Sequence, residues 1–234
     1  NKADAARGKI FTKIGRELAV AVKAGGPDPT TNSKLFDVIQ KAKQNNMPND
    51  NITRSLKKAS MEGTAGDNYE SITYEGYGAK GIAFIVECLT DNRNRTAGDV
   101  RHLFEKHGGS LGTTGSVTYM FNRKGIVVVD AENKDEDETM LQALELNADD
   151  FTRDEDVFVI SCDPSDCHAV GSGLEKAGYT ILSSEVEYVP TGFITLESDD
   201  QEKVRKLKDK LEELDDVQEV YTNAELDDIE EEDE

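Results

Sequence analysis

The feature that most constrains this chain is a polar turn that follows directly on an apolar run. Residues Ile82–Leu89 are apolar apart from one glutamate, which is typical of a buried strand. Residues Ala97–His107 have the periodicity of a helix. The stretch between them, Thr90–Thr96, has the sequence TDNRNRT and is therefore predicted to connect a strand to a helix.

This turn has two interpretations, and its spacing is compatible with both. Asp91, Asn94 and Thr96 are of the residue types that cap helix N-termini, which would leave the two arginines in solvent. Alternatively, the free backbone N–H groups of the helix start and the guanidinium groups of Arg93 and Arg95 would together hold a phosphate.

Charge is distributed very unevenly along the chain. Residues 1–60 contain 12 Lys and Arg but 5 Asp and Glu, a net charge of +7. The whole chain has a formal net charge of −21, so the remaining residues carry −28. We therefore expect any contact with a polyanion on the N-terminal segment and repulsion by the rest.

The N-terminal segment, residues 1–62, is predicted to form a basic domain of three short helices. Each helix has one apolar face, so the three are expected to pack as a small bundle. The last two flank a turn that contains Pro48 and form a weak match to a helix-turn-helix. The first predicted helix covers residues 3–24, and the second runs from Asn32 or Ser33 to Asn45. The third starts at Asn49 or Asp50.

Basic side chains of this domain are the predicted phosphate contacts. Several of them share one face of the first helix, because seven residues make almost two full turns. Phe11 is the aromatic residue that lies among these basic residues, and it belongs to the apolar face of the helix. This disfavours base stacking and favours contact with the phosphate backbone, so the sequence specificity of binding should be low. The predicted contacts are Arg7, Lys9, Lys13, Arg16, Lys23, Lys41, Lys43, Arg54, Lys57 and Lys58.

The rest of the chain predicts two further domains and an α+β fold with three domains in all. Residues 124–189 have the order strand, helix, strand, strand, helix, strand, which is typical of a ferredoxin-like domain. Its first helix is expected to turn Leu141 and Leu144 inward. Residues 69–123 and 190–224 are expected to form one discontinuous α+β domain around that insertion, with a strand at Ser116–Phe121.

Several longer motifs together resemble the YebC/PmpR family over nearly the whole chain. The middle of the chain carries YEGYG, TDNRNRT, the pattern VRxxFxKxGGxLG and then GSV. The remaining motifs lie near the two ends. The residues concerned are Arg7–Lys13, Ala42–Ile52, Tyr74–Gly81, Thr90–Thr96, Val100–Gly112, Gly115–Val117 and Leu214–Asn223.

The resemblance implies a non-enzymatic regulator of gene expression with a three-domain architecture. Bacterial members are named transcriptional regulators that bind promoter DNA, which makes a DNA-binding transcriptional regulator the first hypothesis. The mitochondrial relative is a translational activator, and some bacterial members resemble ribosome-associated factors that relieve stalling on proline-rich stretches. The weak equipment for reading base edges favours this RNA alternative. A second cluster of predicted contacts is Arg93, Arg95, Arg101 and Lys106.

Other function classes are less well supported by the residues. A nuclease would need carboxylates clustered around metal ions in a basic cleft, and an interaction scaffold would show no salt-dependent nucleic-acid binding. His102 and His107 lack a nucleophile or paired carboxylate at a motif spacing. Cys162 and Cys167 have a poor spacing for zinc and no second pair. No catalytic residue, cofactor or metal is therefore predicted.

Compartment and flexible segments are predicted from composition. Three cysteines, no signal peptide and no apolar stretch of membrane-spanning length predict a cytoplasmic protein. Residues 60–68 are a predicted linker, and residues 225–234, eight of them acidic, a predicted disordered tail. An alternative for the tail is that it folds back on the basic helices and competes with nucleic acid.

Overall fold

The computed structural model describes residues 2–61 and 68–227, so most of the predicted linker lies outside the described residues. The chain forms two compact units, one of residues 1–67 and 123–189 and the other of residues 68–122 and 190–234. Helices and antiparallel sheets are combined in an α+β fold, as predicted.

The elements are as follows. The helices are α1 (Lys2–Gly25), α2 (Ser33–Gln44), α3 (Asn49–Ser60), α4 (Arg93–Lys106), α5 (Glu136–Glu145), α6 (Cys167–Lys176) and α7 (Ser198–Glu212). The strands are β1 (Glu70–Tyr77), β2 (Ala83–Thr90), β3 (Ser110–Leu111), β4 (Phe121–Asp130), β5 (Ala148–Asp154), β6 (Val157–Cys162), β7 (Ile181–Pro190), β8 (Ile194–Thr195), β9 (Val217–Thr222) and β10 (Ala224–Glu225).

In the first unit, α1, α2 and α3 enclose their own apolar core, with Ile14, Leu18 and Leu35 almost fully buried. Asn32 fixes the corner between α1 and α2. Its side-chain oxygen accepts from the Leu35 N–H at 3.1 Å, and its amide donates to the Ala21 carbonyl at 2.8 Å. The prediction that Asn49 or Asp50 caps α3 was wrong, because Pro48 occupies the N-cap position and no side chain forms a capping hydrogen bond there.

The inserted segment of this unit has the ferredoxin-like strand order β5-β6-β4-β7, with α5 and α6 packed on one face. The predicted inward leucines of α5 were wrong: Leu141 is 62% and Leu144 51% exposed. Thr139 and Ala143 face the core instead. The Thr139 hydroxyl bonds to the Tyr179 hydroxyl at 3.1 Å, which ties α5 to the turn before β7.

Within the same unit, α2 lies along β7, which is an edge of the ferredoxin-like sheet. Gln44 donates to the main-chain carbonyl of Ile181 at 3.1 Å. Asp37 lies 2.5 Å from Nδ1 of His168 on α6. The Gln44 side chain therefore pairs one backbone carbonyl at the start of this edge strand.

The second unit is built on a sheet of order β3-β1-β2-β9 with α4 and α7 on its apolar face. Strand β9 comes from near the C-terminal end of the sequence and pairs antiparallel with β2. The predicted strand at Ser116–Phe121 was wrong. Thr118–Met120 is a 3-10 turn, and the strand that follows starts only at Phe121.

The start of the predicted tail belongs to the fold. Strand β10 pairs with β8, and Ala224 is 4% exposed. The Asp227 N–H donates to the Gln201 side chain at 3.0 Å, and the Gln201 amide returns a bond to the Asp227 carboxylate at 2.9 Å. The prediction that residues 225–227 belong to a disordered tail was therefore wrong. Residues 228–234 lie outside the described residues.

Candidate nucleic-acid interface

Helix α3 presents the clearest basic surface. Ile52 is buried in the core and Leu56 packs beside it. By helical spacing, Arg54, Lys57 and Lys58 lie on the opposite side, and all three are exposed. Among residues 2–61 and 68–227, no carboxylate forms an ion pair with any of the three. We call this surface the α3 basic face.

Helix α1 carries a second set of predicted contacts. Lys9 and Lys23 are exposed, whereas Lys13 and Arg16 are partly buried. These four residues share one side of the helix by spacing. Arg7 does not join them, because it lies seven residues before the buried Ile14 and so on the apolar side of α1.

On α2 the two predicted lysines differ. Lys43 is exposed. Lys41 contacts carboxylates of Glu17 at 3.0 Å and Glu185 at 2.9 Å, so it ties α1, α2 and β7 together. Burial raises the pKa of the Glu17 carboxyl, although the ammonium of Lys41 opposes that shift. The arrangement gives Lys41 a structural role within this unit.

Two of the acids on the three helices are engaged by neighbouring groups. Glu17 is bound by Lys41, and Asp37 is bound by His168 of the ferredoxin-like segment. Asp4 and Asp50 remain as exposed acids on these helices. By helical spacing Asp50 lies one turn before Arg54, so the α3 basic face carries three cations against one acid and keeps a net positive charge.

The TDNRNRT stretch is largely structural. Helix α4 starts at Arg93, four residues earlier than predicted, and its cap is Asn92, whose side chain accepts from the Arg95 N–H at 3.1 Å. The capping interpretation was thus right in kind but named other residues. Thr96 is buried and bonds to the Thr90 hydroxyl at 2.8 Å.

Arg95 forms ion pairs with two carboxylates. It donates to both oxygens of the buried Asp216, at 2.8 and 3.0 Å, and to Asp91 at 2.7 Å. Bonds to Asp216 and then Asp91 hold the pKa of the guanidinium above its usual range. The Thr96 hydroxyl also donates to Asp216, at 2.8 Å. Sequence reasoning missed Asp216, although it lies in the Leu214–Asn223 motif.

The other predicted contacts of α4 do not form one patch. Arg93 pairs with Glu70 at 3.3 Å, while Arg101 and Lys106 are exposed. Helical spacing places Lys106 on the side of Arg95, and Arg101 about a third of a turn away. A phosphate-binding cluster of four groups is therefore not assembled on this helix.

The YEGYG stretch is also structural. Glu75 is 4% exposed and accepts from the backbone N–H groups of Gly115, Val117 and Thr118 at 2.6, 3.0 and 2.8 Å. Burial would raise the pKa of this carboxyl, but the three donors lower it below its usual value. Strand formation at residues 116–120 fails because the carboxylate takes these N–H groups.

Neighbouring residues of the same stretch pack against the core. A Cβ on Gly76 would lie 2.7 Å from the Phe104 ring and 2.8 Å from the Ser110 carbonyl, so no larger residue fits there. Tyr74 packs on the core. Tyr77 donates to the Ser116 carbonyl at 3.0 Å.

In the described residues, no set of three or more His, Cys, Asp or Glu is arranged to hold a metal ion. Burial raises the pKa of the Cys162 thiol to about 12, which leaves it protonated at neutral pH. Burial and nearby lysines lower the pKa of His107. Over the same residues, no helix has the length and hydropathy to cross a bilayer.

Comparison with known proteins gives matches along the chain. Residues 1–62 match the family described as "TACO1/YebC protein N-terminal domain", and residues 69–224 match "TACO1/YebC second and third domain". A "probable transcriptional regulatory protein" of Acetivibrio thermocellus is 56% identical over 95% of this chain and 92% of its own length. A protein of the same description from Thermoanaerobacter pseudethanolicus is 52% identical over 97% of this chain and 92% of its own length.

A solved structure is similar as well. The crystal structure of a conserved hypothetical protein from Aquifex aeolicus aligns with a TM-score of 0.85 at 41% identity. The alignment covers 99% of this chain and 95% of that chain.

Proposed function

This chain belongs to the TACO1/YebC family, and from that membership we propose that it is a non-enzymatic, nucleic-acid-binding regulator of gene expression in the cytoplasm. Relatives at 52–56% identity are named probable transcriptional regulatory proteins, which supports the regulatory role. The three-helix domain, residues 1–62, is the proposed binding domain.

The observation that carries the proposal is the α3 basic face. Its three cations are exposed on the side of the helix opposite the buried Ile52, on a chain whose net charge is −21. Such a surface attracts phosphates and releases their counterions, so binding should weaken steeply with salt. Lys9, Lys23 and Lys43 are exposed and extend the proposed contacts, together with Lys13 and Arg16.

We propose DNA as the first target, because the names of the relatives support transcription. The cations of the α3 basic face would contact the phosphates of DNA and RNA alike, so they also support the alternative of a translation factor on structured or ribosomal RNA. Of the other predicted contacts, Arg101 and Lys106 are exposed, and Arg93 keeps 66% of its side chain exposed beside Glu70. The ion pairs of Lys41 and Arg95 give those two residues structural roles.

The test measures anisotropy of a labelled 30-base-pair duplex DNA and a labelled RNA hairpin across a salt series. The binding variant changes Arg54, Lys57 and Lys58 to Glu. The matched control changes three lysines of α7, Lys203, Lys206 and Lys210, to Glu, which alters net charge equally. If the face contacts three phosphates, the binding variant should lose about 3 from the slope of log affinity against log salt and bind at least ten-fold more weakly.

Sedimentation of cell lysate at low salt then distinguishes the two targets. A translation factor should travel with ribosomal particles, and the Glu variant should not. A transcriptional regulator should remain at the top of the gradient while the purified protein still binds duplex DNA. If the wild type shows no salt-dependent binding to either nucleic acid, the proposed function is wrong.

A further inference from the structure

Helix α5 of the ferredoxin-like segment turns its large apolar side chains away from the core. Leu141 is 62% and Leu144 51% exposed, whereas Thr139 and Ala143 are fully buried. Leu141 lies two residues from both buried positions, about 200° around the helix, and so on its far side. A surface helix ordinarily has the reverse arrangement, with apolar residues inward and polar residues in solvent. Packing within this unit therefore does not account for these two leucines, which we call the α5 leucine pair.

The inner side and the ends of α5 hold the helix in place without the leucine pair. The side chain of Asp135 caps its start. The Thr139 hydroxyl bonds to the Tyr179 hydroxyl at 3.1 Å. Just past the last turn, Leu146 packs against the hydrophobic core and lies so close to Gly173 of α6 that a Cβ there would be 2.7 Å from it. The backbone of α5 is thus anchored, and the leucine pair projects from it in a fixed position.

Carboxylates bracket the leucine pair on the same side of the helix. Asp137 precedes Leu141 by four residues and Glu145 follows it by four, so each lies one turn away, and both are exposed. Among residues 2–61 and 68–227, no cation forms an ion pair with either carboxylate. The outer side of α5 therefore consists of an apolar ridge with an unneutralised negative charge at each end.

These features define the chemistry of a partner that would cover the leucine pair. Side chains three residues apart form a ridge on a helix, and such a ridge packs into the groove of a second helix. Burial against apolar side chains of that helix removes both leucines from water. The two carboxylates would lose hydration in such a contact unless cations pair with them. Lysine or arginine beside the apolar stripe of the second helix is therefore favoured, and a neutral or acidic helix is disfavoured.

We propose that the outer side of α5 docks an amphipathic helix of a partner protein, whose apolar stripe is flanked by lysine or arginine. Residues 124–189 contain 17 acids against 4 lysines and arginines, so this segment repels nucleic acid and attracts a basic protein. The negative field brings the partner close, and the leucine pair determines where it docks. The inference goes beyond the proposed function, because α5 lies outside the proposed nucleic-acid contacts and its docking does not require them.

The experiment measures fluorescence anisotropy of a labelled synthetic peptide of about 18 residues, five helical turns, with leucine on one side and lysine on the other. The matched probe has the same composition but spreads its leucines around the helix, so its charge is equal and its apolar stripe is lost. The test variant is the double change Leu141→Ala and Leu144→Ala in the full chain. The control variant is Leu182→Ala, because Leu182 is a 44% exposed leucine of β7 in the same segment.

We expect the double Ala variant to bind the amphipathic peptide roughly ten-fold more weakly, because most of the apolar area of both leucines is lost. Its urea unfolding midpoint should equal that of wild type, because the two exposed leucines lie outside the hydrophobic core. Leu182→Ala should bind the peptide like wild type. A variant with Asp137→Asn and Glu145→Gln should bind more weakly at low salt and approach wild type at high salt, since salt screens exposed charges.

The proposal is overturned if the double Ala variant binds the peptide as wild type does, or if the wild type binds both peptides equally. A lower unfolding midpoint of the double Ala variant would assign the leucine pair to the fold and would also overturn it. Sedimentation of the wild type over a concentration series tests a second copy as the occupant. Self-association that the double Ala change abolishes would replace the partner helix by that second copy.

Discussion

The α3 basic face and the TDNRNRT turn are both rich in cations, yet the structure uses them differently. In the turn, Arg95 is bound by the buried Asp216, and Arg93 is paired with Glu70. On α3, the described residues provide no carboxylate partner for Arg54, Lys57 or Lys58. The difference teaches that the position of carboxylates in three dimensions, rather than the number of cations in a motif, decides whether the cations form a binding surface or internal ion pairs.

The strongest way to break this comparison is to remove the carboxylate of the turn. Asp216→Ala deletes the acceptor of Arg95 and of the buried Thr96 hydroxyl. We expect unfolding free energy to fall by about 3 kcal/mol, because buried donors lose their partner. Urea unfolding at neutral pH measures the change, and duplex binding of the folded variant should stay within two-fold of wild type.

The adjacent Asp215 is exposed and provides the control. Asp215→Ala should change the unfolding free energy by less than about 0.5 kcal/mol. If Asp216→Ala left stability unchanged and strengthened binding, Arg95 would be a phosphate contact held back by its carboxylate, and the distinction between the two regions would collapse.

A second prediction sharpens the structural side of the comparison. Glu75→Gln replaces one acceptor oxygen by an amide that cannot accept from the loop N–H groups, so we expect a loss of about 2 kcal/mol at neutral pH. The pKa of Glu75 is lowered by folding, so its contribution is present above the unfolded pKa and is lost as pH falls through the folded one.

Urea unfolding at a series of pH values tests that dependence. The difference in unfolding free energy between wild type and Glu75→Gln should narrow as pH drops from about 5 to about 3. Glu105→Gln, an exposed change on α4, should show no such gap. A gap independent of pH would mean that the carboxylate charge does not hold the loop.

The smallest expected effect concerns the acidic tail and the α3 basic face. Deleting residues 228–234 removes six acids while sparing the packed residues 225–227. If the tail competes with nucleic acid, duplex binding should tighten several-fold at low salt and return to wild type at high salt, since exposed charges are screened. Replacing the acids by Asn and Gln should have the same effect, and unchanged affinity in both variants would exclude competition.

Sequence reasoning succeeded where local pattern decides structure. The helices of the basic domain, and the succession of helices and strands in residues 124–189, follow from apolar periodicity, which depends on near neighbours. It failed where distant side chains intervene. Glu75 accepts hydrogen bonds from the backbone at Val117, 42 residues away, which prevents a strand there, and no local pattern contains that bond.

The candidate site shows the same division. Spacing alone places Lys57 and Lys58 opposite the core of α3. It could not show that Arg95 is held by Asp216, which lies 121 residues further along the chain. The exposed α5 leucines were mispredicted because periodicity does not reveal that Thr139 and Ala143 already fill the space under the helix.

The pairing of β2 with β9 has a consequence for how the protein emerges from the ribosome. The Ala83 N–H donates to the Asn223 side chain at 2.9 Å, so the central sheet of the second unit closes across 140 residues. Closing so long a loop costs entropy before its contacts form, which slows folding. Synthesis from the N-terminus completes the inserted domain first, and the N-terminal strands of the second unit wait until the last strand is made.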